Sequence, residues 1–472
     1  MASVAEAQNV SECATRARAA QRAFARFSQE QIDHAVAAVA WAGYSHAETL
    51  ARLAIEDTGL GNYDDKVAKN RRKTLGTMRD LKGARSVGII RTDAARGITE
   101  IAKPVGIVGG LTPVTNPGAT VINNIMIVLK GGNGIILAPH PKGERTCATV
   151  VELARAALAR VGAPENLVQH VSLTASSKEE SKQRAQDLMR QVDLVLVTAG
   201  PGNVKMAYSS GTPALGVGVG NAPVIIDPTA AIDDAADKIV RSKIFDCATS
   251  CSSENSLVVD ATVYDAVVRA LQARDGYLVP TEDKPRLQAA MWGSNAMLSR
   301  EVVGQPATRI AQLAGLTAPA AVTARFLMVE EEGIGKAFPF SGEKISPVLT
   351  LYRYTTFDEA LDTVARILAY QGEGHSCGIH TSNDEHVARL ATMAKVGRVL
   401  VNQPHCIGNG GDFANGLDFT LSLGAGTWGG NSTSDNITYR HFINITRVSR
   451  VIPAVVPTEE EMWGDYFARY GR

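Results

Sequence analysis

The 472-residue sequence has no excess of either charge, few cysteines and no long apolar run. Its 48 Lys and Arg residues balance 48 Asp and Glu residues, so no overall field would hold a nucleic acid or an anionic membrane. The first residues, MASVAEAQNVSECATRARAAQ, have no apolar stretch behind a basic segment, and no later run approaches a membrane span. We therefore expect a soluble, cytoplasmic protein that binds neither nucleic acid nor membrane.

The six cysteines are sparse and show no CxxC pair, which excludes a disulfide framework and is typical of free thiols in a reducing compartment. Soft metal ligands are present at Cys247, Cys251, His375–Cys377 and His405–Cys406, but their spacing matches no zinc pattern. We therefore predict no metal. The cysteines are Cys13, Cys147, Cys247, Cys251, Cys377 and Cys406.

Short apolar runs alternate with helical segments through the middle of the chain. An α-helical opening comes first, over about residues 4–59, with Ser28 as the N-cap of a helix that contains Ile32 and Val36. The alternation that follows is typical of a doubly wound parallel sheet. The predicted strands are Val105–Leu111, Ile135–Ala138, Leu167–Val171 and Leu194–Val197, with helices over Thr146–Arg160 and Glu179–Arg190.

The alternation restarts near Pro223 and predicts a second α/β unit. Two strand-like segments outside both units, Gly97–Ala102 and Ile437–Val451, are expected to pair as an edge ribbon that a partner subunit completes. We predict a dinucleotide-binding domain over 1–222, with 95–103 contributing to the ribbon, then a second domain over 223–435. Residues 436–472 would supply an oligomerisation strand and a C-terminal tail. The strands of the second unit are predicted at Val224–Ile226, Ser256–Val259, Val348–Tyr352, Gly378–His380 and Arg398–Val401, and its helices at Ile232–Val240, Val263–Ala273, Phe357–Tyr370 and Val387–Ala394.

A candidate nucleophile lies in the segment Phe245–Asn255, where Cys247 and Cys251 stand among small and polar residues. Small residues leave room for a substrate to reach sulfur, and a modest electropositive environment is enough to activate a thiol. Taken alone, a cysteine is more often a small core residue, and we assign that role to Cys247. Cys251 is the candidate nucleophile.

A candidate oxyanion donor lies in the stretch Lys103–Pro117, where a buried strand runs into a turn bounded by prolines. The side-chain amide of Asn116 at this turn is a suitable donor. On these residues alone, the favoured alternative is that Asn116 caps the helix that starts after Pro117.

Glycines cluster at two turns that suit a phosphate. Gly200 and Gly202 follow a predicted strand and precede a helix, and Gly216, Gly218 and Gly220 form the second cluster. Such turns offer backbone N–H groups to a phosphate. Neither follows the GxGxxG pattern with an acidic residue at the expected distance, and tight turns explain the glycines equally well.

Eight motifs in one order resemble the aldehyde dehydrogenase superfamily, and in particular its CoA-acylating branch, over nearly the whole chain. The likeness implies the fold of that family, with two doubly wound α/β domains and a small oligomerisation β-ribbon that forms a homodimer or homotetramer. The motifs begin at Ile101 (IAKPVG), Thr112 (TPVTNP), Ala138 (APHP), Ala207 (AYSSG), Gly216 (GVGVGN), Cys251, Glu343 (EKISP) and Gly424 (GAGTWGGN).

The resemblance implies roles for individual residues. Cys251 would attack an aldehyde, and Asn116 with the backbone N–H of Cys251 would stabilise its oxygen. Hydride would pass to the nicotinamide of NADP or NAD, and the thiol of CoA would then take the acyl group. Glu343 would hold the nicotinamide ribose. The rest of the predicted cofactor set is Thr112, Pro113, Ala138, Pro139, His140, Pro141, Lys142, Gly200, Gly202 and Gly218.

One departure from the hydrolytic relatives favours the acylating reaction. Those enzymes carry a glutamate in the glycine-rich stretch that activates water, and the matching position here is Val217. Glu254 and Glu373 remain possible substitutes for that base, so a hydrolytic enzyme that makes the free acid is the main rival. Two further hypotheses are a thiol protein that senses metals or redox state and a non-catalytic relative.

The choice of substrate and cofactor also follows from the resemblance. The stretch Asp57–Asn70 resembles members that act on sulfoacetaldehyde or succinate semialdehyde; we favour sulfoacetaldehyde and keep acetaldehyde as an alternative. Lys142 and Arg145 lie where a ribose 2′-phosphate would bind, which favours NADP over NAD. The predicted donors for an anionic substrate tail are His405, Asn402, Gln403 and Arg440.

Overall fold

The computed structural model describes residues 9–293 and 297–472, so the first residues of the predicted helical opening lie outside the described part. No helix within these ranges has the length and apolar character needed to cross a membrane. Ser28 caps the second helix as predicted, because its hydroxyl accepts from the N–H of Gln31, whose side chain accepts from the N–H of Ser28. The four opening helices are α1 Val10–Phe24, α2 Gln29–Ser45, α3 Ala47–Thr58 and α4 Tyr63–Leu81.

Two ribbon strands, β1 Gly88–Asp93 and β2 Ile98–Pro104, lead into a five-stranded parallel sheet. Its order is β5-β4-β3-β6-β7, and β3 and β4 are buried over their whole length, as expected for strands covered by helices on both faces. The strand order reverses between β3 and β6. The elements are β3 Ile107–Thr112, α5 Ala119–Lys130, β4 Gly134–Pro139, α6 Glu144–Arg160, β5 Val168–His170, α7 Lys178–Gln191, β6 Leu194–Val197, α8 Pro201–Tyr208 and β7 Ala214–Gly216.

A seven-stranded parallel sheet forms the second unit, in the order β10-β11-β12-β9-β8-β13-β14. The first strand of this sheet begins at Ala222, beside the predicted boundary between residues 222 and 223, and that boundary stays a prediction. The elements are β8 Ala222–Ile226, α9 Ile232–Ile244, β9 Glu254–Asp260, α10 Tyr264–Gln272, β10 Gly276–Leu278, α11 Lys284–Met291, α12 Ala307–Leu313, α13 Pro319–Val322, β11 Phe326–Glu330, β12 Val348–Tyr354, α14 Phe357–Tyr370, β13 Cys377–His380, α15 Asp384–Met393, β14 Val399–Val401 and α16 His405–Gly408.

The predicted edge ribbon is present, and its last strand is shorter than predicted. β15 Ile443–Ser449 pairs antiparallel with β2, which also pairs with β1, and α17 Glu459–Tyr470 follows. Residues Tyr439–Phe442 form a 3₁₀ turn instead of strand. Asn133 holds the end of this turn through a hydrogen bond from Nδ2 to the carbonyl oxygen of Phe442, at 2.8 Å. A partner subunit at the ribbon stays a prediction.

Candidate active site

A cavity of about 1080 Å³ lies between the two parallel sheets. One wall comes from the carboxyl ends of β3, β4 and β6, next to the point at which the strand order of the first sheet reverses. Open α/β sheets bind ligands at such a point. The second unit supplies the facing wall, which includes Thr249–Ser252 and Glu343. The volume is at the upper end of the range for small-molecule sites, so it suits a ligand as large as a dinucleotide.

Most of the predicted cofactor set reaches this cavity, and two of its members do not. Pro139 ends β4 and is buried in the sheet opposite Thr112, and Lys142 is exposed on the 3₁₀ turn that the His140 side chain caps. Neither side chain lines the cavity, so the predicted set is corrected at these two positions. The members that line it are Thr112, Pro113, Ala138, His140, Pro141, Gly200, Gly202, Gly218 and Glu343.

Arg145, which we expected to bind a 2′-phosphate, does not line the cavity, and its guanidinium is already paired. It contacts the carboxylates of Asp57 and Glu56, each at 2.7 Å. The cations that line the cavity at this end are Lys178 and Lys182, one turn apart at the start of α7. Within the described ranges neither of them makes an ion pair. Sequence reasoning missed them, although two lysines one turn apart at a predicted helix start were a usable signal.

The turn before Cys251 has an unusual backbone. Asp246, Cys247 and Ala248 have φ angles of 51°, 51° and 54°, a region that residues with a Cβ rarely occupy. Cys251 itself packs tightly on the glycine-rich stretch, because a Cβ on Gly220 would lie 1.8 Å from the carbonyl oxygen of Cys251. The neighbouring structure therefore determines where the sulfur of Cys251 lies.

A buried ion cluster holds this strained turn against α4. The carboxylate of Asp246 is inaccessible to solvent and accepts from the ammonium groups of Lys66, at 3.1 Å, and of Lys69. The backbone N–H of Asp246 donates to Asp65 Oδ2 at 2.7 Å, and Thr249 Oγ1 donates to Asp246 Oδ2 at 2.8 Å. Sequence reasoning missed this cluster, because Asp246 and the lysines are far apart in the chain.

Asn116 is held by the same cluster. Its Oδ1 accepts from Lys69 Nζ at 2.7 Å, which turns Nδ2 away from the lysine and leaves it as the donor of this amide. The alternative that Asn116 caps a helix is wrong, since α5 begins at Ala119, its N-cap is Gly118, and no side-chain cap is present. Asn116 Nδ2 donates one hydrogen bond to Thr115 Oγ1 at 3.3 Å, and its second N–H remains for a ligand. Asn116 and Cys251 line the same cavity.

The thiol of Cys251 lies in surroundings that keep it protonated. Burial, and next the charge of Glu343, raise the pKa of this thiol to about 11, against a smaller opposing effect of Arg398. The thiol therefore does not lie in the electropositive environment that would be enough to activate it. Lys66 and Lys69 lie near the turn, but their charges face Asp246.

This pKa predicts how Cys251 reacts with iodoacetamide. Only the thiolate reacts, and below the pKa its fraction grows about tenfold per pH unit, so we expect alkylation to accelerate by up to about tenfold for each pH unit from pH ~7 to ~10. Burial raises the pKa of Glu343 to about 8, so its deprotonation makes the rise shallower near that pH. Mass spectrometry of the Cys251 peptide measures the rate, with the fully buried Cys147 as an internal control. A rate that levels off below pH ~8 would contradict the assignment.

Among the described residues that line the cavity, Glu343 is the only one with a carboxyl group. Val217 lines it as well, where the resemblance places the glutamate of hydrolytic relatives. The two alternative bases are engaged elsewhere. Glu254 accepts from Ser242 Oγ and from the N–H of His405, and Glu373 pairs with Lys395 at 3.2 Å.

The predicted substrate donors do not line the cavity. His405 is buried and its Nδ1 contacts the carbonyl oxygen of Ser252 at 2.8 Å. The side-chain amide of Asn402 accepts a hydrogen bond from the N–H of Thr381 and donates one to its carbonyl oxygen. These predictions are corrected, because the polar run after β14 serves to fasten that strand end to its neighbours.

Arg440 and Gln403 do not line the cavity either, and their side chains also contact other residues. Arg440 is exposed and pairs with Asp418, and Gln403 Oε1 accepts from Asn415 Nδ2 at 2.8 Å. The cation that does line this part of the cavity is Lys73 of α4. Among the described residues, no three His, Cys, Asp or Glu side chains are grouped as a metal site.

This chain is similar in sequence to known aldehyde dehydrogenases. Residues 1–291 match the model of the aldehyde dehydrogenase family. A sulfoacetaldehyde dehydrogenase (acylating) of Cupriavidus necator is 53% identical over 470 residues, which make up 99% of this chain and 94% of that protein.

Two solved structures of aldehyde dehydrogenases are similar to this chain over nearly its whole length. An acetylating aldehyde dehydrogenase from Geobacillus thermoglucosidasius has a TM-score of 0.90 at 36% identity, and the match covers 95% of this chain and 98% of the other. A propionaldehyde dehydrogenase of Rhodopseudomonas palustris, solved with bound CoA and an acylated cysteine, has a TM-score of 0.80 at 25% identity. That match covers 94% of this chain and 97% of the other.

Proposed function

Since the chain belongs to the aldehyde dehydrogenase family, we propose that it converts a short anionic aldehyde and CoA to the acyl-CoA, reversibly, with NADP or NAD as hydride acceptor. We propose sulfoacetaldehyde as the aldehyde, on the strength of the acylating relative from Cupriavidus necator. The observation that carries the proposal is the placement of Cys251 and the oriented amide of Asn116 in one cavity.

The reaction starts at Cys251. The thiol of Cys251 first loses its proton to solvent, and the small thiolate fraction attacks the aldehyde carbon. The oxygen of the resulting thiohemiacetal is stabilised by Asn116 Nδ2 and the backbone N–H of Cys251. The nicotinamide ring, when bound, accepts the hydride that leaves this carbon. The product on the protein is a thioester of Cys251. Attack by the thiol of CoA releases acyl-CoA and restores Cys251, and because one thioester replaces another the exchange is nearly balanced.

Transfer to CoA rather than to water is supported by the side chains beside the thioester. Val217 contributes an alkyl group to the cavity wall, and Glu254 and Glu373 are bound to other groups. Glu343, whose pKa burial raises to about 8, is mainly neutral near neutral pH, so only a minor fraction of it is in the form that accepts a proton from water. A thiol nucleophile, which ionises more readily than water, is the better acyl acceptor at such a site.

The residues of the first sheet fit a nicotinamide dinucleotide. Gly200 and Gly202 lie at the start of α8, where an added Cβ would meet no atom within 4 Å, so the turn is open to a ligand. Leu173, Ala175 and Met206 supply apolar contacts at the same end of the cavity. We propose that these residues hold the adenosine half and that Glu343 holds the nicotinamide ribose.

The first test is the rate of NADPH or NADH formation from sulfoacetaldehyde, succinate semialdehyde and acetaldehyde, each with and without CoA. We expect turnover that requires CoA and is fastest with sulfoacetaldehyde. Turnover without CoA would show a hydrolytic enzyme, and equal rates with acetaldehyde would remove the anionic substrate from the proposal.

The choice of NADP over NAD is proposed to depend on Lys178 and Lys182. We expect the double variant Lys178→Ala/Lys182→Ala to raise KM for NADP about tenfold, because solvent weakens the charge-assisted hydrogen bonds that exposed lysines make to a phosphate. KM for NAD, which lacks this phosphate, should stay nearly unchanged. The matched control is Arg145→Ala, which removes a cation already paired with acids. A rise in KM for NADP in Lys142→Ala, with none in the double variant, would restore Lys142 as the phosphate ligand.

A further inference from the structure

Helix α4 presents three lysines along one face. Lys66, Lys69 and Lys73 are spaced i, i+3 and i+7, which places them in one row. Lys69 binds the side-chain oxygen of Asn116, and Lys73 lies about 6 Å farther along the helix axis. Lys73 lines the cavity that also contains Cys251. The row therefore brings a cation one turn beyond the amide that is proposed to bind the carbonyl oxygen.

The ammonium of Lys73 has carbonyl and aromatic neighbours in place of a carboxylate. Nζ donates to the carbonyl oxygen of Gly410 at 2.7 Å and lies 5.3 Å from the centre of the Phe419 ring. The negative charge of Asp412 raises the pKa of Lys73, but this carboxylate is paired with Arg72. Across residues 9–293 and 297–472, Lys73 makes no ion pair. A cation taken out of water without a counter-ion is unfavourable, and an anion beside it would offset that cost.

Burial lowers the pKa of Lys73 to about 8, so the ammonium is still mostly charged near neutral pH. The hydroxyl-bearing Thr120 and Thr420 line the same wall of the cavity. The wall thus combines one cation with small polar side chains, a composition that favours an oxyacid group over an alkyl chain.

We propose that Lys73 binds the acidic group of the aldehyde, a sulfonate or a carboxylate, while Cys251 and Asn116 act on its carbonyl group. This inference rests on the proposed function. In a two-carbon aldehyde the carbonyl oxygen and the acidic group are separated by two carbons, a distance of the same order as one helical turn. Lys73 thereby takes the role that sequence reasoning assigned to His405, Asn402 and Arg440.

The test compares Lys73→Met with wild type on sulfoacetaldehyde and on acetaldehyde, which lacks the acid. We expect kcat/KM for sulfoacetaldehyde to fall about 30- to 100-fold, mainly through KM, because a charge-assisted contact in a partly buried site is lost. Activity on acetaldehyde should stay within about threefold of wild type. An equal loss on both aldehydes would overturn the inference and make Lys73 a support for the Gly410 loop, and no loss on either would overturn it too.

Two further variants separate charge from position. Lys73→Arg keeps the cation and should recover part of the preference for sulfoacetaldehyde. Arg71→Met removes a cation from the exposed side of the same helix, where it pairs with Glu48 at 2.8 Å, and should leave the preference unchanged.

A binding measurement keeps the inference testable if the protein turns over none of these aldehydes. Ethanesulfonate and propionate should each slow the alkylation of Cys251 by iodoacetamide in wild type and have less effect in Lys73→Met, whereas propanol should have no effect in either. Whichever of the two anions slows the alkylation more identifies the acidic group that the site prefers. Equal protection of wild type and variant would reject Lys73 as the anion ligand, and absence of CoA-dependent turnover would reject the proposed function alone.

Discussion

Replacing Cys251 by alanine is expected to lower kcat/KM for the CoA-dependent oxidation by on the order of 10,000-fold, the largest effect of any single change in this protein. Without sulfur no thiohemiacetal forms, so no carbon bears a hydride ready to leave and no thioester is available to CoA. The measurement is NADPH formation with sulfoacetaldehyde and CoA, together with the reverse reaction from the acyl-CoA.

Cys247→Ala is the matched control for this change. Cys247 is buried four residues earlier and does not line the cavity. Its φ angle is 51°, and alanine has the same backbone restrictions there as cysteine, so the strain of the turn is unchanged. We expect Cys247→Ala to keep near-normal activity. Activity that survives in Cys251→Ala, or is lost only in Cys406→Ala, whose thiol also lines the cavity, would contradict the assignment.

Replacing Asn116 by alanine is expected to lower kcat about 100- to 1000-fold with a small change in KM for the aldehyde. The amide donates to an oxygen whose negative charge develops only after sulfur attacks, so its loss raises the barrier more than it weakens substrate binding. Lys69 strengthens this donor, because a cation on Oδ1 at 2.7 Å both orients the amide and draws electron density from it. Steady-state kinetics with saturating CoA measure the effect.

Alkylation of Cys251 distinguishes this role of Asn116 from a structural one. Iodoacetamide reacts with the thiolate and forms no tetrahedral oxyanion, so Asn116→Ala should be alkylated at nearly the wild-type rate while turnover is lost. A parallel fall in both rates would show that Asn116 supports the shape of the site, and a rise in KM with normal kcat would show ground-state binding only.

The buried strands were predictable because each is a short apolar run covered on both faces, and β3, β4 and β6 lie within one or two residues of the predicted positions. β11 carries such an apolar run, FLMV, and was missed, whereas the short strands β7 and β10 gave no such signal. β7 and β10 have three residues each, too few for a pattern to stand out from the turns around them.

The resemblance singled out Cys251 and Asn116 as candidates by motif order, since neither residue stood above its structural alternative on local pattern, and the structure places both in one cavity. The acids that pair with Arg145, Glu56 and Asp57, lie in a different part of the chain, so the residues around Arg145 could not show that this cation is paired. Local pattern misassigned His405 and Asn402, because a polar run after a strand looks the same whether its side chains face a ligand or the neighbouring backbone.

By itself the sequence determined the class of fold, the alternation of its main buried strands with helices, and the family, because apolar periodicity and motif order are properties of neighbouring residues in the chain. Only the tertiary structure decided which charges face the cavity. Lys66 and Lys69 contact Asp246, Arg145 contacts its acids, and Lys73, Lys178 and Lys182 line the cavity. The reason is physical: the partner of a buried or half-buried charge is chosen by distances of a few ångströms between segments that are far apart in sequence.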